Sequence, residues 1–317
     1  MAAISPPAPR PPPPPSRATA PLDNPPPAWR RREGRAALVF LAPALLGFLT
    51  FFAWPTLRGL YLSLTDYDLL SAPEFSGLDN YRRLLHDDVF WNSLRVTLQY
   101  VLINITVQTV VAVLLAVLMH RLTKSVVIRG MVLLPYLISN VVVALLWYAM
   151  ADYNLGIING VLDWAGFDRV GFFGDEQWAI PTIALVNVWR HLGYTALLVF
   201  AGLQAINRDV YEAAAVDGAG EFRMFTRITL PLLRPVMALV LVVTLIGSWQ
   251  IFDTVAVTTQ GGPVDATRVV QYYIYDQAFQ RFDFGYASAI SVALFLILAV
   301  IAFVQLRLLR AGDSDQS

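Results

Sequence analysis

Six long apolar stretches constrain this chain more than any other feature of its 317 residues. Each stretch contains 20 to 25 residues, and about 20 residues of α-helix cross the hydrocarbon core of a bilayer. The stretches are Ala36–Leu57, Val96–Met119, Met131–Met150, Ala179–Leu203, Val236–Val257 and Ala287–Leu306. The remaining polar residues are too few to cover six such helices in water, whereas a helix in lipid satisfies its own backbone hydrogen bonds. The sequence therefore predicts an all-α membrane protein with six transmembrane helices.

The composition excludes several kinds of functional site. The chain has no cysteine, which rules out disulfides, thiolate metal sites and cysteine nucleophiles. The three histidines, His86, His120 and His191, lie too far apart in sequence to share a ligand spacing. The formal net charge is zero, so no basic excess points to nucleic acid. We therefore expect no catalytic residue, no metal site and no nucleic-acid partner.

The chain also lacks a nucleotide-binding motif. The phosphate-binding loop of ATPases reads GxxxxGK[ST], with a lysine directly after a glycine. The only lysine, Lys124, follows Thr123, and neither required glycine precedes it. No nucleophile and base lie in an arrangement that would support a membrane enzyme. We expect no cofactor bound by this chain, so the energy for any transport would come from a partner protein or an ion gradient.

Basic residues predict the orientation, because short cytoplasmic loops carry an excess of arginine and lysine. With the N-terminus inside, the inner segments carry 15 of the 23 basic residues and the outer loops carry 5. Residues 1–27 contain 12 of the 20 prolines, a composition that builds no core. We therefore predict a disordered Pro-rich tail at 1–35, a transmembrane domain at 36–310 and a short tail at 311–317, with both termini cytoplasmic.

The most informative inner segment is the loop at residues 205–235. Asp209 is suited to cap a short helix that the following alanines favour, and Gly218 and Gly220 end it. A second short helix is expected before Pro231. One interpretation is an amphipathic connector that lies on lipid. The other is a docking surface for a protein, which small residues in the first helix would allow to approach closely.

Polar residues inside apolar stretches are costly and often functional. Arg190 lies near the middle of the fourth stretch, where pairing with Asp253 or a carbonyl competes with contact to a solute. Tyr194, Trp249 and Gln250 carry ring, hydroxyl and amide groups suited to sugars. Other polar residues are interpreted as helix–helix contacts, since such groups commonly hydrogen-bond across packed helices; these are Asn104, Gln108 and Asn140. The aromatic segment Arg268–Phe279 is expected as a short interfacial helix, serving either as a membrane anchor or as a surface for an external protein.

The 205–235 loop resembles the EAA loop of importer-type ABC permeases. The matching residues are Glu212-Ala213-Ala214, Asp217-Gly218-Ala219, Phe225, Ile228, Leu230-Pro231 and Pro235. Gly77–Tyr81 and the region from Phe252 to Phe279 resemble the first and last outer loops of sugar permeases in that family. The resemblance covers roughly residues 38–307. It departs at Asn207, where the family usually has proline, and the first outer segment lacks the inserted domain of the enterobacterial maltose permease subunit.

This resemblance implies a type I ABC importer permease fold in a bacterial plasma membrane. It implies a second permease subunit, expected to differ from this chain, two ATPase subunits that hold ATP and magnesium, and an external binding protein that delivers a sugar. A role in coupling to the ATPase is carried over to Glu212, Ala213, Ala214, Asp217 and Gly218. The resemblance gives Tyr194 a place in the sugar site, and the predicted substrate-binding residues are Tyr194, Ser248, Gln250 and Arg190.

Two other functions stay open. Permeases of the same family import glycerol 3-phosphate, but a phosphate ester would want several arginines near the path. Only Arg190 lies deep in an apolar stretch, which favours a neutral sugar over a polyol phosphate. A gradient-driven secondary transporter would need acidic ion relays and related half-repeats. Asp253 is the one candidate acid, and the sequence has no clear repeat.

Overall fold

The structure, a computed structural model, describes residues 39–122 and 125–313. The predicted tail at 1–35 lies outside these residues, as do positions 314–317 of the tail predicted at 311–317. The chain divides into two compact units, residues 1–57 and 58–317. The described part of the first unit is helical from Val39 and contains a π-helical turn at Leu49–Ala53.

Six candidate membrane spans confirm the predicted all-α transmembrane architecture. Five helices in the described ranges are long and apolar enough to cross a bilayer: Val39–Leu62, Asp88–Leu122, Ala179–Gln204, Arg234–Val257 and Phe284–Gln305. The sixth candidate is the helix pair Val126–Leu137 and Asn140–Met150, bent by 88°. In chain order these are spans 1 to 6, and the bent pair is span 3. The last helix continues beyond span 6 to Asp313.

Two spans are interrupted, which the apolar pattern does not predict. In span 3, Ile138 and Ser139 have extended backbones between the two helices. Pro135, which has no N–H to donate, occupies the last turn before the break. Span 5 consists of the helices Arg234–Trp249 and Asp253–Val257. Met131–Met150 is therefore not one straight helix, because the chain turns at the centre of that stretch.

Shorter elements connect the spans. Thr65–Asp66 and Glu74–Phe75 form an antiparallel strand pair. The connecting helices are Asp79–Leu85, Ile157–Trp164, Arg208–Val216, Glu221–Met224, Leu230–Leu232 and Val270–Tyr275. Two π-helical turns, Phe225–Thr229 and Asp276–Gln280, extend the helices that precede them.

Small side chains bring the central spans together. Ala112 and Ala116 of span 2 and Ala196 of span 4 are fully buried. Gly193 of span 4 lies so close to span 3 that an added Cβ would be 1.9 Å from the Val132 carbonyl oxygen. Because lipid tails are as apolar as the spans, close van der Waals packing of this kind drives helix association in membranes.

The aromatic segment at 268–279 contains the expected short helix, which packs partly against the rest of the chain. Its helix Val270–Tyr275 buries Val270, Tyr272 and Tyr273. The Val270 amide donates to the Thr97 hydroxyl of span 2 at 2.9 Å. One side of the segment therefore packs against protein, whereas Tyr275 and Phe279 remain 37% and 59% exposed.

Asp87 connects this segment to spans 2 and 6. One carboxylate oxygen accepts hydrogen bonds from the Val89 and Phe90 amides. The other accepts from the Tyr273 hydroxyl at 2.6 Å and from the Tyr286 hydroxyl. Burial opposes ionisation of Asp87, but these hydrogen bonds outweigh it and hold the pKa of the carboxyl below its usual range.

We expect Asp87→Asn to lower the thermal unfolding temperature at neutral pH. The lost charge-assisted hydrogen bonds correspond to about 1–3 kcal/mol. Since the folded-state pKa is lowered, the carboxylate stabilises the protein above the ordinary aspartate pKa of about 4. This contribution is lost as the pH falls through the folded-state value. Unfolding of both proteins in detergent, followed from pH 7 downward, should show the difference narrowing below about pH 4; a difference independent of pH would contradict the assignment.

Candidate functional site

A polar cavity of about 290 Å³ lies among spans 2, 3, 4 and 5. Amide and hydroxyl side chains dominate its polar lining, which includes Asn104, Gln108, Asn140, Asn187, Thr195, Thr244, Ser248 and Gln250 together with His191 and three tyrosines. Three of the four predicted substrate-binding residues, Tyr194, Ser248 and Gln250, share this cavity. Trp249, which also offered sugar-binding groups, is buried in the apolar core instead.

A directional hydrogen-bond network forms one wall of the cavity. The Ser248 hydroxyl donates to the Thr244 carbonyl at 2.7 Å, so it must accept from the Asn104 amide nitrogen at 2.9 Å. The same nitrogen donates to the Gln108 carbonyl oxygen, and the Gln108 nitrogen donates to the Thr195 hydroxyl at 2.7 Å. The predicted helix–helix role of Asn104 and Gln108 therefore matches the contacts. Asn104 is only 4% exposed, and its Oδ1 has no hydrogen-bond partner among residues 39–122 and 125–313.

An aromatic pair forms another wall. The Tyr194 ring stacks on the Tyr136 ring with centroids 4.7 Å apart and planes 13° from parallel. Tyr136 lies in the last turn before the break in span 3, and sequence reasoning did not select it. The sequence offered little reason to assign Tyr136 to the site, since a tyrosine in an apolar helix is usually a packing residue. The break orients this turn towards span 4 and makes the pair part of the cavity.

Arg190 is held beside the cavity and is not part of its lining. Its Nε donates to the Ile138 carbonyl at 3.1 Å, an oxygen exposed by the break in span 3. Of the two structural pairings considered for Arg190, the carbonyl contact is present. Asp253 instead accepts from the Asn140 amide at 2.9 Å, so Asn140 makes the predicted helix–helix contact.

The single histidine of the lining is fixed by its neighbours. His191 Nδ1 faces the Asn187 carbonyl at 2.9 Å, and a carbonyl can only accept, so Nδ1 carries the proton. Nε2 lies 3.0 Å from the Arg190 guanidinium and accepts from it. The described lining contains no aspartate, glutamate, lysine or arginine. The cavity therefore presents amides, hydroxyls and aromatic rings without a charged side chain.

The 205–235 loop folds into the expected helix, turn and helix. The first helix, Arg208–Val216, is capped by Asn207, whose side-chain oxygen accepts from the Asp209 amide at 3.1 Å. The expectation that Asp209 is the cap was wrong, because Asn207 has the extended backbone of a cap residue and Asp209 lies in the first helical turn. Asparagine thus starts the helix at the position where the sequence departs from the usual proline.

A Schellman motif ends this helix. Gly218 has a φ of +76°, in the left-handed region. The Ala219 amide donates to the Ala214 carbonyl at 2.9 Å, and the Gly218 amide donates to the Ala215 carbonyl at 3.1 Å. The Tyr211 hydroxyl lies 3.0 Å from the Thr229 hydroxyl and connects the first helix to the following turn. These contacts fix the direction in which the helix projects.

The loop presents most of its predicted coupling residues at the surface. Glu212, Ala213, Asp217 and Gly218 are exposed, whereas Ala214 is buried against the rest of the chain. Phe222, in the second helix, is 81% exposed. The loop therefore has an outward face of small, acidic and aromatic residues on a backbone held by capping interactions at both ends of its first helix.

Comparisons with known proteins agree with this architecture. Residues 108–312 match the family described as "Binding-protein-dependent transport system inner membrane component". The chain is 33% identical over 278 residues to the trehalose/maltose transport system permease protein MalF of Thermococcus litoralis, covering 87% of this chain and 94% of that protein. It is 35% identical over 283 residues to the sn-glycerol-3-phosphate transport system permease protein UgpA of Escherichia coli, covering 85% and 92%.

A solved structure agrees with the fold. A chain of a bacterial ABC transporter involved in the import of the acidic polysaccharide alginate superposes with a TM-score of 0.79 at 26% identity. The match covers 90% of this chain and 98% of that chain. The six candidate spans and the sequence matches lead to one assignment. The chain belongs to the family of inner membrane components of binding-protein-dependent transport systems.

Proposed function

We propose that this chain is the transmembrane subunit of an ABC importer, that it forms half of the translocation pathway for a neutral sugar, and that it couples to a separate ATPase through the 205–235 loop. The main support for a neutral sugar as the substrate is the polar cavity, which has no charged side chain in its described lining and contains the stacked Tyr136–Tyr194 pair. Sugars present many hydroxyls, which amides and hydroxyls can pair, and apolar faces that pack on aromatic rings.

Substrate contact is assigned to Tyr194, Ser248 and Gln250, which share the cavity lining. Arg190 is assigned a positioning role, because it donates to Ile138 and His191 and stays outside the lining. This arrangement suits a solute that exchanges hydrogen bonds without bringing a charge.

Glycerol 3-phosphate is the second candidate solute. The 35% identity to a glycerol-3-phosphate permease favours it, and Arg190 lies next to a lining residue. A phosphate dianion would need unpaired cationic donors in the cavity. Arg190 is already engaged and no arginine or lysine is part of the described lining, so a neutral sugar fits the cavity better.

The proposed assembly contains a second, different permease subunit, two ATPase subunits with ATP and magnesium, and an external solute-binding protein. One supporting structure is a bacterial alginate ABC transporter solved with a substrate-bound periplasmic protein, which matches this chain with a TM-score of 0.77. The coupling residues are Glu212, Ala213, Ala214, Asp217 and Gly218. The proposed location is a bacterial plasma membrane, and the arginine distribution supports an orientation with both termini cytoplasmic.

The solute retained by the cognate binding protein tests the substrate class. The binding protein is purified without added ligand, the released solute is identified by mass spectrometry, and its uptake is measured in proteoliposomes that contain the complete importer and ATP. We expect a neutral saccharide to be retained and imported. Retention and import of glycerol 3-phosphate or another phosphate ester would reject the neutral-sugar assignment.

We expect Tyr194→Leu to raise the KM for solute uptake about tenfold, since loss of an aromatic stacking surface costs about 1–1.5 kcal/mol. Tyr194→Phe is the matched control: it keeps the ring against Tyr136 and should retain most of the affinity. Uptake in proteoliposomes at several solute concentrations separates KM from the maximal rate. An unchanged KM in Tyr194→Leu would remove Tyr194 from the solute site.

A further inference from the structure

A second chamber lies behind the 205–235 loop, away from the sugar cavity. It consists of two adjoining cavities of about 380 and 180 Å³ that share His120, Leu203 and Tyr211 in their linings. We call it the inner chamber. It lies between the last turns of spans 2 and 4 and the first turn of the helix Arg208–Val216.

The inner chamber combines cationic or donor groups with apolar walls. Arg208 and His120 both line it, and neither has a hydrogen-bond or ion-pair partner within the described chain. The His120 ring makes an edge contact with Phe200. Arg121, also in the lining, is paired with Glu221 at 2.7 Å. Its apolar walls are Leu203, Ile206 and Phe225.

The acidic side chains near the inner chamber do not pair with Arg208 or His120. Asp209, the neighbour of Arg208, is hydrogen-bonded to the Asn207 side chain. Glu221 is engaged by Arg121. The described lining of the inner chamber contains no carboxylate. Its two unpaired donors, Arg208 and His120, therefore favour an anionic ligand, and a phosphate ester is a ligand class that guanidinium and imidazole donors suit.

The position of the inner chamber distinguishes a lipid from a free phosphate. His120 directly follows the apolar stretch that ends at Met119, and Gln204 directly follows the stretch that ends at Leu203. The chamber is therefore at the boundary between hydrocarbon and water, which is the level of phospholipid headgroups. Basic pockets between spans on the cytoplasmic side are known to bind anionic headgroups.

We propose that the inner chamber binds the phosphodiester headgroup of an anionic phospholipid, with Arg208 and His120 as donors to the phosphate. The proposal rests on the cytoplasmic placement of the 205–235 loop but not on the identity of the solute. Arg208 and Tyr211 belong to the first turn of the loop's capped helix. A bound headgroup would thus connect that helix to the ends of spans 2 and 4, and lipid composition would adjust the coupling between ATPase and pathway.

The test is lipid retention by the purified full importer complex in the absence of solute. The complex is exchanged into nanodiscs of phosphatidylcholine with or without phosphatidylglycerol, then extracted in mild detergent, and bound lipid is counted by native mass spectrometry. Arg208→Gln should lower the retained phosphatidylglycerol about fivefold, the equivalent of about 1 kcal/mol for one cation. His120→Gln should lower it as well, and Arg208→Lys should restore it.

The matched control is Arg227→Gln, which removes an exposed arginine of the same loop outside the chamber lining. It should leave retention unchanged. Equal retention in wild type and Arg208→Gln, or an equal loss in Arg227→Gln, would overturn the proposal. Competition by millimolar inorganic phosphate that displaces the lipid completely would overturn the lipid assignment in favour of a soluble phosphate. Because no solute is present, these outcomes do not depend on whether the sugar assignment is correct.

Discussion

Gly218→Val should abolish solute uptake by the reconstituted importer while leaving membrane insertion intact. Gly218 has a φ of +76° at the end of the helix Arg208–Val216, where a β-branched residue costs about 1–2 kcal/mol or more. An added Cβ would meet no atom within 4 Å, so the effect is conformational and not a clash. Relief of the strain would break the Schellman motif and redirect the helix that, in the proposed importer, presents Glu212 to the ATPase.

The matched control is Gly220→Val, two positions along the same turn. Gly220 has a φ of −70° and a ψ of 162°, values that ordinary residues adopt, and an added Cβ would meet nothing within 4 Å. Uptake, ATPase activity and co-purification of the ATPase are measured for both variants at matched amounts of inserted protein. Uptake at the wild-type rate in Gly218→Val, or uptake that persists without any ATPase, would defeat the coupling assignment.

Gly193→Leu should prevent accumulation of the folded protein. A Cβ at this position would lie 1.9 Å from the Val132 carbonyl oxygen and 2.7 Å from the carbonyl carbon. Both are backbone atoms, so the contact is relieved only if span 4 moves away from span 3. Overpacking typically costs about 1–3 kcal/mol and occasionally more, and movement of span 3 would also separate Tyr136 from Tyr194.

Gly130→Leu is the corresponding control within span 3, since a Cβ there meets no atom within 4 Å. Both variants are expressed with a fluorescent tag, and the monodisperse fraction is measured by size-exclusion chromatography in detergent. The control should resemble wild type, whereas Gly193→Leu should aggregate. A monodisperse Gly193→Leu protein with normal uptake would show that the spans are not in backbone contact.

Much of the fold could be predicted because the signals are local. A run of about twenty apolar residues predicts a membrane span whichever helices it packs against. In the same way, Gly218 predicts the end of a helix from its residue type alone. The breaks in spans 3 and 5 could not be read from the apolar pattern, because a break depends on partners such as Arg190 for the carbonyl it exposes. Gly193 gave no signal either, since its role depends on Val132 of a neighbouring span.

The candidate site was only partly predictable for the same reason. Tyr194 was selected from the family resemblance, and Ser248 and Gln250 were selected as polar groups in an apolar stretch; all three line one cavity. Trp249, which lies between Ser248 and Gln250, is buried in the apolar core instead. Tyr136 lines the cavity because it lies in the last turn before the bend in span 3. Side-chain chemistry identified candidate site residues, but the path of the backbone determines which of these residues line the same cavity.

The bend in span 3 has a mechanical consequence. Its first helix, Val126–Leu137, packs closely on span 4, and its second helix, Asn140–Met150, packs on the Asp253–Val257 helix of span 5 and is tied to it by the Asn140–Asp253 hydrogen bond. The two halves therefore do not act as one rod. Span 4 contacts each half separately, the first at Val132 through Gly193 and the second at Trp147 through Trp189, with ring centroids 5.6 Å apart, so a displacement of span 4 would act on the two halves at different points.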